Sequence, residues 1–430
     1  MNKPTRSPWT WVPTLYFAEG LPYVMVMTVS VIMYKRFGLS NTEIALYTSW
    51  LYLPWVIKPF WSPFVDILKT KRWWIIAMQL LIGGGLAGVA LTLPTPFYLQ
   101  ASLAFFWLLA FSSATHDIAA DGFYMLALDD SQQSFFVGIR STFYRLAMIT
   151  GQGLLIILAG FLEQSTGKIS LSWSITFFVL SGLFVAFFVY HNFILPYPAG
   201  DVERKDQTPK KILAEFVNTF ASFFSKKGII LAIAFMFLYR LAEAMLVKLA
   251  SPFLLDAREE GGLALSTQEV GLVYGTVGVI ALTIGGIIGG IVASQKGLKF
   301  WLWPMALAIT LPNVAYVFLS MTQPDNIWWV NMAVAIEQFG YGFGFTAYML
   351  YLIYFSEGEH KTAYYSICTG FMALGMMLPG MAAGWIQEQL GYQHFFIFIM
   401  ICTIPTLLLV PFMKIDPEFG KKKINNQTGN

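Results

Sequence analysis

Twelve apolar runs, each near the roughly 20 residues a helix needs to cross a hydrocarbon layer, follow one another along this sequence. They cover 11–34, 44–65, 73–93, 97–128, 135–162, 173–195, 229–255, 270–293, 300–320, 327–355, 363–390 and 395–412, here numbered spans 1 to 12. The runs are apolar on every side, whereas helices around a water-soluble core keep a charged face. Charged residues make up only 12% of the chain, against roughly 25% in an ordinary globular protein. The expected fold class is therefore all-α integral membrane. A disordered chain, a nucleic-acid binder and a water-borne enzyme are excluded, and a net charge of +3 leaves no basic surface for phosphate backbones. Cys368 and Cys402 lie inside apolar runs and offer neither a disulfide framework nor a metal-ligand spacing, so no metal or cofactor is expected. The polar start of the chain leads into span 1 without a small-residue cleavage site, and no removable signal peptide is expected.

Lysines and arginines crowd one set of loops: Lys3 and Arg6, Lys69 to Arg72, Arg204 to Lys227, Lys296 and Lys299, Lys361, and Lys414 onward. The opposite set holds only Lys35, Arg36, Lys168 and Arg258. The positive-inside bias then puts both termini and the central linker in the cytoplasm. The expected division is an N-terminal six-helix bundle over 1–195, a cytoplasmic linker over 196–228, a C-terminal six-helix bundle over 229–413 and a tail over 414–430. Within the linker Thr208 can cap a helix with Pro209 at its first position, and Ile212, Phe216, Phe220 and Phe224 follow at fourfold spacing. Such a helix would lie on the inner leaflet, with Lys210, Lys211, Lys226 and Lys227 toward anionic headgroups.

The two halves echo each other. The octapeptide from Leu39 to Leu46 recurs in altered form from Leu265 to Leu272, 226 residues later, and both copies carry a Ser-x-x-Glu capping box at a helix start. Tyr124, Met125 and Leu126 are echoed by Tyr348, Met349 and Leu350, and Phe143, Leu146 and Met148 by Phe371, Leu374 and Met376. Three echoes in one order point to a duplicated six-helix unit. Parallel repeats about an axis along the membrane normal are the build of the major facilitator superfamily, whose cargo cavity lies between the halves near the midplane. Ser62 and Asp66, followed by Lys69, Lys71 and Arg72, resemble the loop signature of that superfamily. An Asp at this point can latch onto the N-terminus of a neighbouring helix through its dipole, on the order of 1 kcal/mol, so Asp66, Lys71 and Arg72 are expected to serve conformational switching.

Ionisable groups at bilayer depth cost roughly 3 kcal/mol or more each and call for a function or a partner. Span 4 carries His116, Asp117 and Asp121, span 5 Arg140 and Arg145, span 1 Glu19, span 7 Arg240, Glu243 and Lys248, and span 10 Glu337. Asp117 and Asp121 are four apart on one face, and two such carboxylates cannot both ionise cheaply in a low-dielectric cavity without a compensating cation. One of them should hold a proton, which a proton-coupled carrier needs. Arg145 is the expected counter-ion, or the bidentate ligand of an anionic substrate. His116 points about 100° from Asp117 and is either a relay or a packing residue. Arg240 and Glu243, three apart, are expected to pair with each other, while Glu19 falls opposite Glu243 in the repeat. An intramembrane prenyl transferase would need a second acidic segment for magnesium and pyrophosphate, and the span 10 echo of the acid pair holds none.

Several of these segments resemble the AmpG-type muropeptide permeases and their acetyl-coenzyme A transporter relatives: Glu19 to Pro22, Trp61 to Pro63 with Asp66, Ser113 to Asp121, and Tyr144 to Met148. The match is strongest in the N-terminal half, and the C-terminal half follows it in layout. The resemblance implies a bacterial inner-membrane importer of N-acetylglucosaminyl-anhydromuramyl peptides driven by protons, with Asp117 and Asp121 as the essential acids and Arg145 as the span 5 arginine. Relatives of the same design carry siderophores, which makes an anionic siderophore the alternative cargo. The expected assignment is proton coupling at Asp117, Asp121 and His116, and substrate contact at Arg145, Tyr144, Glu19, Glu243, Arg240, Glu337 and Tyr348. Expected partners are a small glycopeptide or other anionic substrate, protons and the lipid bilayer, with the protein a monomer. Glycines in span 8 (Gly285, Gly286, Gly289, Gly290) and span 11 (Gly380, Gly384) would let helices approach and slide.

Overall fold

The computed structural model describes residues 6–203, 209–358 and 360–421. The side chains of Asp66, Lys210, Lys211, Ile212 and Phe216 lie outside the described residues. Among the described residues, nine helical stretches are long and apolar enough to cross a bilayer. The last of these, Lys361–Phe412, turns back at Gly391 (φ 71°, ψ 164°) and so supplies two spans. Span 2, built from Asn41–Trp50 and Leu53–Leu68, and span 10, Ile327–Phe355, bring the number to twelve. The described ends of the chain, at Trp9 and Phe419, and the linker helix lie at one end of the bundle, called here the terminal side; the loops after spans 1 and 7 mark the distal side.

Both predicted capping boxes are formed. Ser40 accepts from the Glu43 amide at 3.2 Å while Glu43 accepts from the Ser40 amide at 3.0 Å, and Ser266 and Glu269 do the same at 3.2 and 2.8 Å. Each cap contributes about 1 kcal/mol and starts spans 2 and 8 at equivalent points of the two halves.

Two seams join the halves. In the first, span 11 lies on span 2: a Cβ on Gly384 would overlap the Asn41 carbonyl, and one on Gly380 would sit 2.7 Å from Ser49 Oγ. In the second, span 8 lies on span 5, where widened turns at Ile149–Leu154 and Gly271–Gly278 face each other and a Cβ on Gly275 would overlap the Gln152 carbonyl. Gly285 and Gly289 meanwhile seat span 8 against span 10. Toward the terminal side the second seam parts, since a Cβ on Gly138 in span 5 or Gly290 in span 8 would meet nothing within 4 Å.

The distal side is closed by polar bonds across the halves. Lys35 pairs with Asp256 at 2.5 Å and donates to Asn41 Oδ1 at 2.9 Å. Asn41 donates in turn to Gln387 at 2.7 Å and to Tyr392 at 2.9 Å, and Tyr392 donates to Asp256 at 2.6 Å. Beside this cluster Arg36 holds Glu163 at 3.0 Å, and Glu163 accepts from Thr267 of the other half at 2.8 Å. Lys35 and Arg36, two of the rare basic residues of this side, are thus both committed to the closure.

The linker helix, Pro209–Phe224, corrects one expectation. Phe223 is fully buried against Phe355, Tyr364 and Phe371, and Phe220 meets Phe60 of span 2. Lys226 turns toward the protein as well, donating to the Phe355 and Glu357 carbonyls at the end of span 10 rather than facing outward to headgroups. Unsatisfied carbonyls at a helix C-terminus attract a cation more strongly than a screened surface does.

Candidate substrate and coupling site

Span 4 presents Asp117 and Asp121 one turn apart toward the seam, and each meets its own cation. Arg140 on span 5 binds Asp121 at 2.9 Å, and its guanidinium stacks over the rings of Tyr16 and Tyr124 at 4.4 and 5.2 Å. Tyr16 also donates to Asp121 at 3.2 Å. Asp117 accepts from the Trp55 indole at 3.2 Å and faces Lys58 at 3.7 Å. The expected counter-ion is therefore corrected: the guanidinium beside Asp121 is that of Arg140, and Arg145 instead reaches across the seam to Thr283 at 3.4 Å, next to Gly286. Lys58 was missed because it sits one residue before Pro59 in an otherwise apolar run. Its signal was its place on span 2, which must line the same seam.

Glu19 joins this cluster from span 1. It is buried, one of its carboxylate oxygens has no hydrogen-bond partner, and it lies within electrostatic reach of Asp117, Asp121, Arg140 and Lys58. Tyr144 packs its backbone and ring against Gly20 of the same helix. His116 is elsewhere. Gln79 donates to its Nε2 at 3.1 Å, Gln79 accepts from His191 at 3.0 Å, and Thr14 meets the far nitrogen of His191 at 2.9 Å. This buried chain ties spans 1, 3, 4 and 6 together, so the structure does not bring His116 to the acid pair.

In the C-terminal half, span 7 breaks between Leu238 and Leu241, with Arg240 at φ −108° and ψ 4°. The break removes the geometry that three-residue spacing implies, and no ion pair forms between Arg240 and Glu243 among the described residues. Arg240 instead donates to the Tyr341 hydroxyl at 2.6 Å and stacks near Phe345 and Tyr348 at 4.9 and 5.9 Å. Tyr23 and Tyr52 of the N-terminal half lie within its electrostatic reach, so an arginine ringed by aromatic faces occupies the middle of the seam. Tyr348 itself is buried and bonds the Met236 carbonyl at 3.0 Å. Among the described residues both oxygens of Glu243 lack hydrogen-bond partners, and Glu337 accepts from its neighbour Gln338 at 3.0 Å. Lys248 donates to Thr48 across the seam at 2.9 Å.

A helix-terminus latch is made at the start of span 3; the side chain of Asp66, for which one was expected, lies outside the described residues. Asp201, after span 6, accepts from the Lys71 and Arg72 amides at 2.7 and 3.0 Å, at the N-terminus of span 3. Arg72 bonds the Asn192 carbonyl and stacks over Tyr197 at 4.0 Å, while the Lys71 side chain lies along Gly122 of span 4. Both basic residues thus bind spans 3, 4 and 6 of one half.

A doubled helical bundle with ion pairs and uncommitted cations along its seam, shut at one end and parting toward the other, is the architecture of a membrane carrier. The Major Facilitator Superfamily description matches residues 14–360, and the chain belongs to that superfamily. It is 27% identical over 422 residues to "Putative transporter AmpG 4" of Rickettsia conorii, covering 93% of this chain and 94% of that one. It is 25% identical over 424 residues to the anhydromuropeptide permease of Escherichia coli K12, covering 96% and 80%. A solved D-xylose-proton symporter matches with a TM-score of 0.72 over 96% of this chain and 98% of that one; at 12% identity the likeness speaks for the fold alone. The chain is a multi-pass secondary transporter of a small molecule, and not an enzyme.

Proposed function

We propose that this carrier imports N-acetylglucosaminyl-anhydromuramyl peptides across a bacterial inner membrane, from periplasm to cytoplasm, as a monomer driven by protons. The terminal side is then cytoplasmic. The observation that carries the reading is a charge count at the seam: three carboxylates, Glu19, Asp117 and Asp121, share two cations, Lys58 and Arg140. One negative charge is left for a proton to neutralise. Protonation of Asp121 frees Arg140, and protonation of Asp117 frees Lys58, so either step presents a cation to a substrate carboxylate. Arg145 and Arg240, which meet no carboxylate within 4 Å among the described residues, supply two further anion contacts. A guanidinium forks onto a carboxylate with two parallel bonds, and the aromatic faces of Tyr23, Trp55, Tyr341 and Phe345 suit sugar rings.

In this reading the closed distal side makes the arrangement inward-facing. Lys71 and Arg72 keep spans 3, 4 and 6 together as the half rotates, with Asp66 beside them at the terminal end, and His116 and Tyr144 position spans 4 and 5. The test is uptake into proteoliposomes under an imposed pH gradient, comparing labelled anhydromuropeptide with a ferric siderophore. Accumulation of the muropeptide alone, abolished when the gradient is collapsed, is expected. Accumulation indifferent to the gradient would remove the proton from the mechanism, and preference for the siderophore would remove the muropeptide.

A further inference from the structure

Lys248 of span 7 is 1% exposed, and among the described residues it meets no carboxylate within 4 Å. Its ammonium donates to Thr48 Oγ1 of the other half at 2.9 Å and lies 5.2 Å from the ring centre of Tyr52, where the two helices of span 2 join. Span 11 covers the stem: a Cβ on Gly380 would come within 3.3 Å of Lys248 Cγ and 2.7 Å of Ser49 Oγ, which is itself buried without a partner. An ammonium carries three donors. One neutral hydroxyl and one aromatic ring compensate poorly for the water it has lost. Lys35, by contrast, closes the distal side against an acid, Asp256, at 2.5 Å.

Lys248 lies eight residues from Asp256 at the distal end of span 7 and eight from Arg240 at the break, about 12 Å along the helix in each direction. It therefore sits between the distal closure and the middle of the seam. Thr48 belongs to the opposite half, so parting of span 2 from spans 7 and 11 breaks their bond and opens the ammonium to the distal vestibule. Resting on the carrier reading above, we infer that Lys248 is an outer anion contact for the substrate. It takes the substrate carboxylate while the distal side is open and passes it inward to Arg240 as the seam closes, when the Thr48 hydroxyl replaces the carboxylate at the ammonium.

Exposure is read without substrate, by acetylating the purified carrier in nanodiscs with a water-soluble succinimidyl ester and quantifying the Lys248 peptide by mass spectrometry. The carrier has its native cysteines replaced by alanine and carries Asn41→Cys and Gln387→Cys, whose parent side chains bond at 2.7 Å across the distal side. A short reducible cross-linker between the two thiols should stop acetylation of Lys248 and its reduction should restore it, while exposed Lys168 reacts throughout. Acetylation that ignores the cross-link, or that never occurs, overturns the inference. Contact is read by KM in oriented membrane vesicles. Lys248→Met should raise KM roughly tenfold for substrate entering from the distal side and change it less than about twofold for substrate entering from the terminal side. An equal rise from both sides, or none from either, makes Lys248 a packing residue and overturns the inference. The labelled probe is whichever of anhydromuropeptide and ferric siderophore the wild type accumulates, so a wrong cargo shows in the wild type and a wrong contact only in the variant.

Discussion

Arg140 holds Asp121 at 2.9 Å, while Arg145, five residues on along the same span, leaves the acid and crosses to Thr283 of the other half. Five residues rotate a helix by about 500°, so the two guanidinium groups depart on faces roughly 140° apart. One arginine is bound to an internal acid, and the other meets no carboxylate within 4 Å among the described residues.

Asp117→Asn and Asp121→Asn should each reduce gradient-driven accumulation to the level seen without a gradient. Exchange of internal for external substrate should continue, because the amide keeps the shape of the site but cannot cycle a proton. Accumulation and exchange measured on the same vesicles check this, and undiminished accumulation by both variants would contradict a coupling role.

Arg145→Lys keeps the charge and loses the fork. A charge-assisted hydrogen bond is worth about 1.5–3 kcal/mol, so KM for a carboxylate-bearing peptide should rise roughly ten- to hundredfold. An analogue with that carboxylate amidated should bind the variant and the wild type alike. Equal losses for the two substrates would show that Arg145 serves only its contact with Thr283.

The distal closure depends on Asp256, which accepts from Lys35, Tyr392 and Asn41 together. Asp256→Asn leaves Lys35 without its ion partner, a penalty on the order of 1–3 kcal/mol, and should shift the carrier toward distal opening. With the native cysteines replaced by alanine, a Ser49→Cys probe on the span 2 seam should then react faster with a membrane-impermeant maleimide added on that side. An unchanged rate would mean the Glu163 bonds hold the closure alone.

Glycine positions should separate by what faces them. Gly275→Ala forces a methyl into the Gln152 carbonyl and should cost about 1–3 kcal/mol, seen as a lowered thermal midpoint in detergent and as lost transport. Gly138→Ala meets open space and should leave both unchanged. Similar behaviour of the two variants would argue against the seam as the point of contact.

Much of the fold was legible because membrane helices must be long and apolar, and because the repeated capping boxes mark equivalent points in the two halves. The pairing of charges was less legible. Arg140 and Arg145 were both visible on span 5, but which one meets Asp121 depends on the rotation of that helix about its axis, and sequence spacing does not set it. Arg240 and Glu243 have the spacing of an internal pair, a rule that assumes an unbroken helix; the break at residues 239–240 cancels it. Asp201, which accepts from the amides at the start of span 3, carried no signal in the sequence, because only the path of the chain after span 6 brings it there.

At Gly275 over Gln152, and at Gly384 over Asn41, main chain rests on main chain with no side chain between. A fulcrum made of backbone is indifferent to the identity of the residues lining the vestibule. Cargo preference can therefore drift by substitution along the walls while the lever arms, and the length of the stroke they deliver, stay as they are.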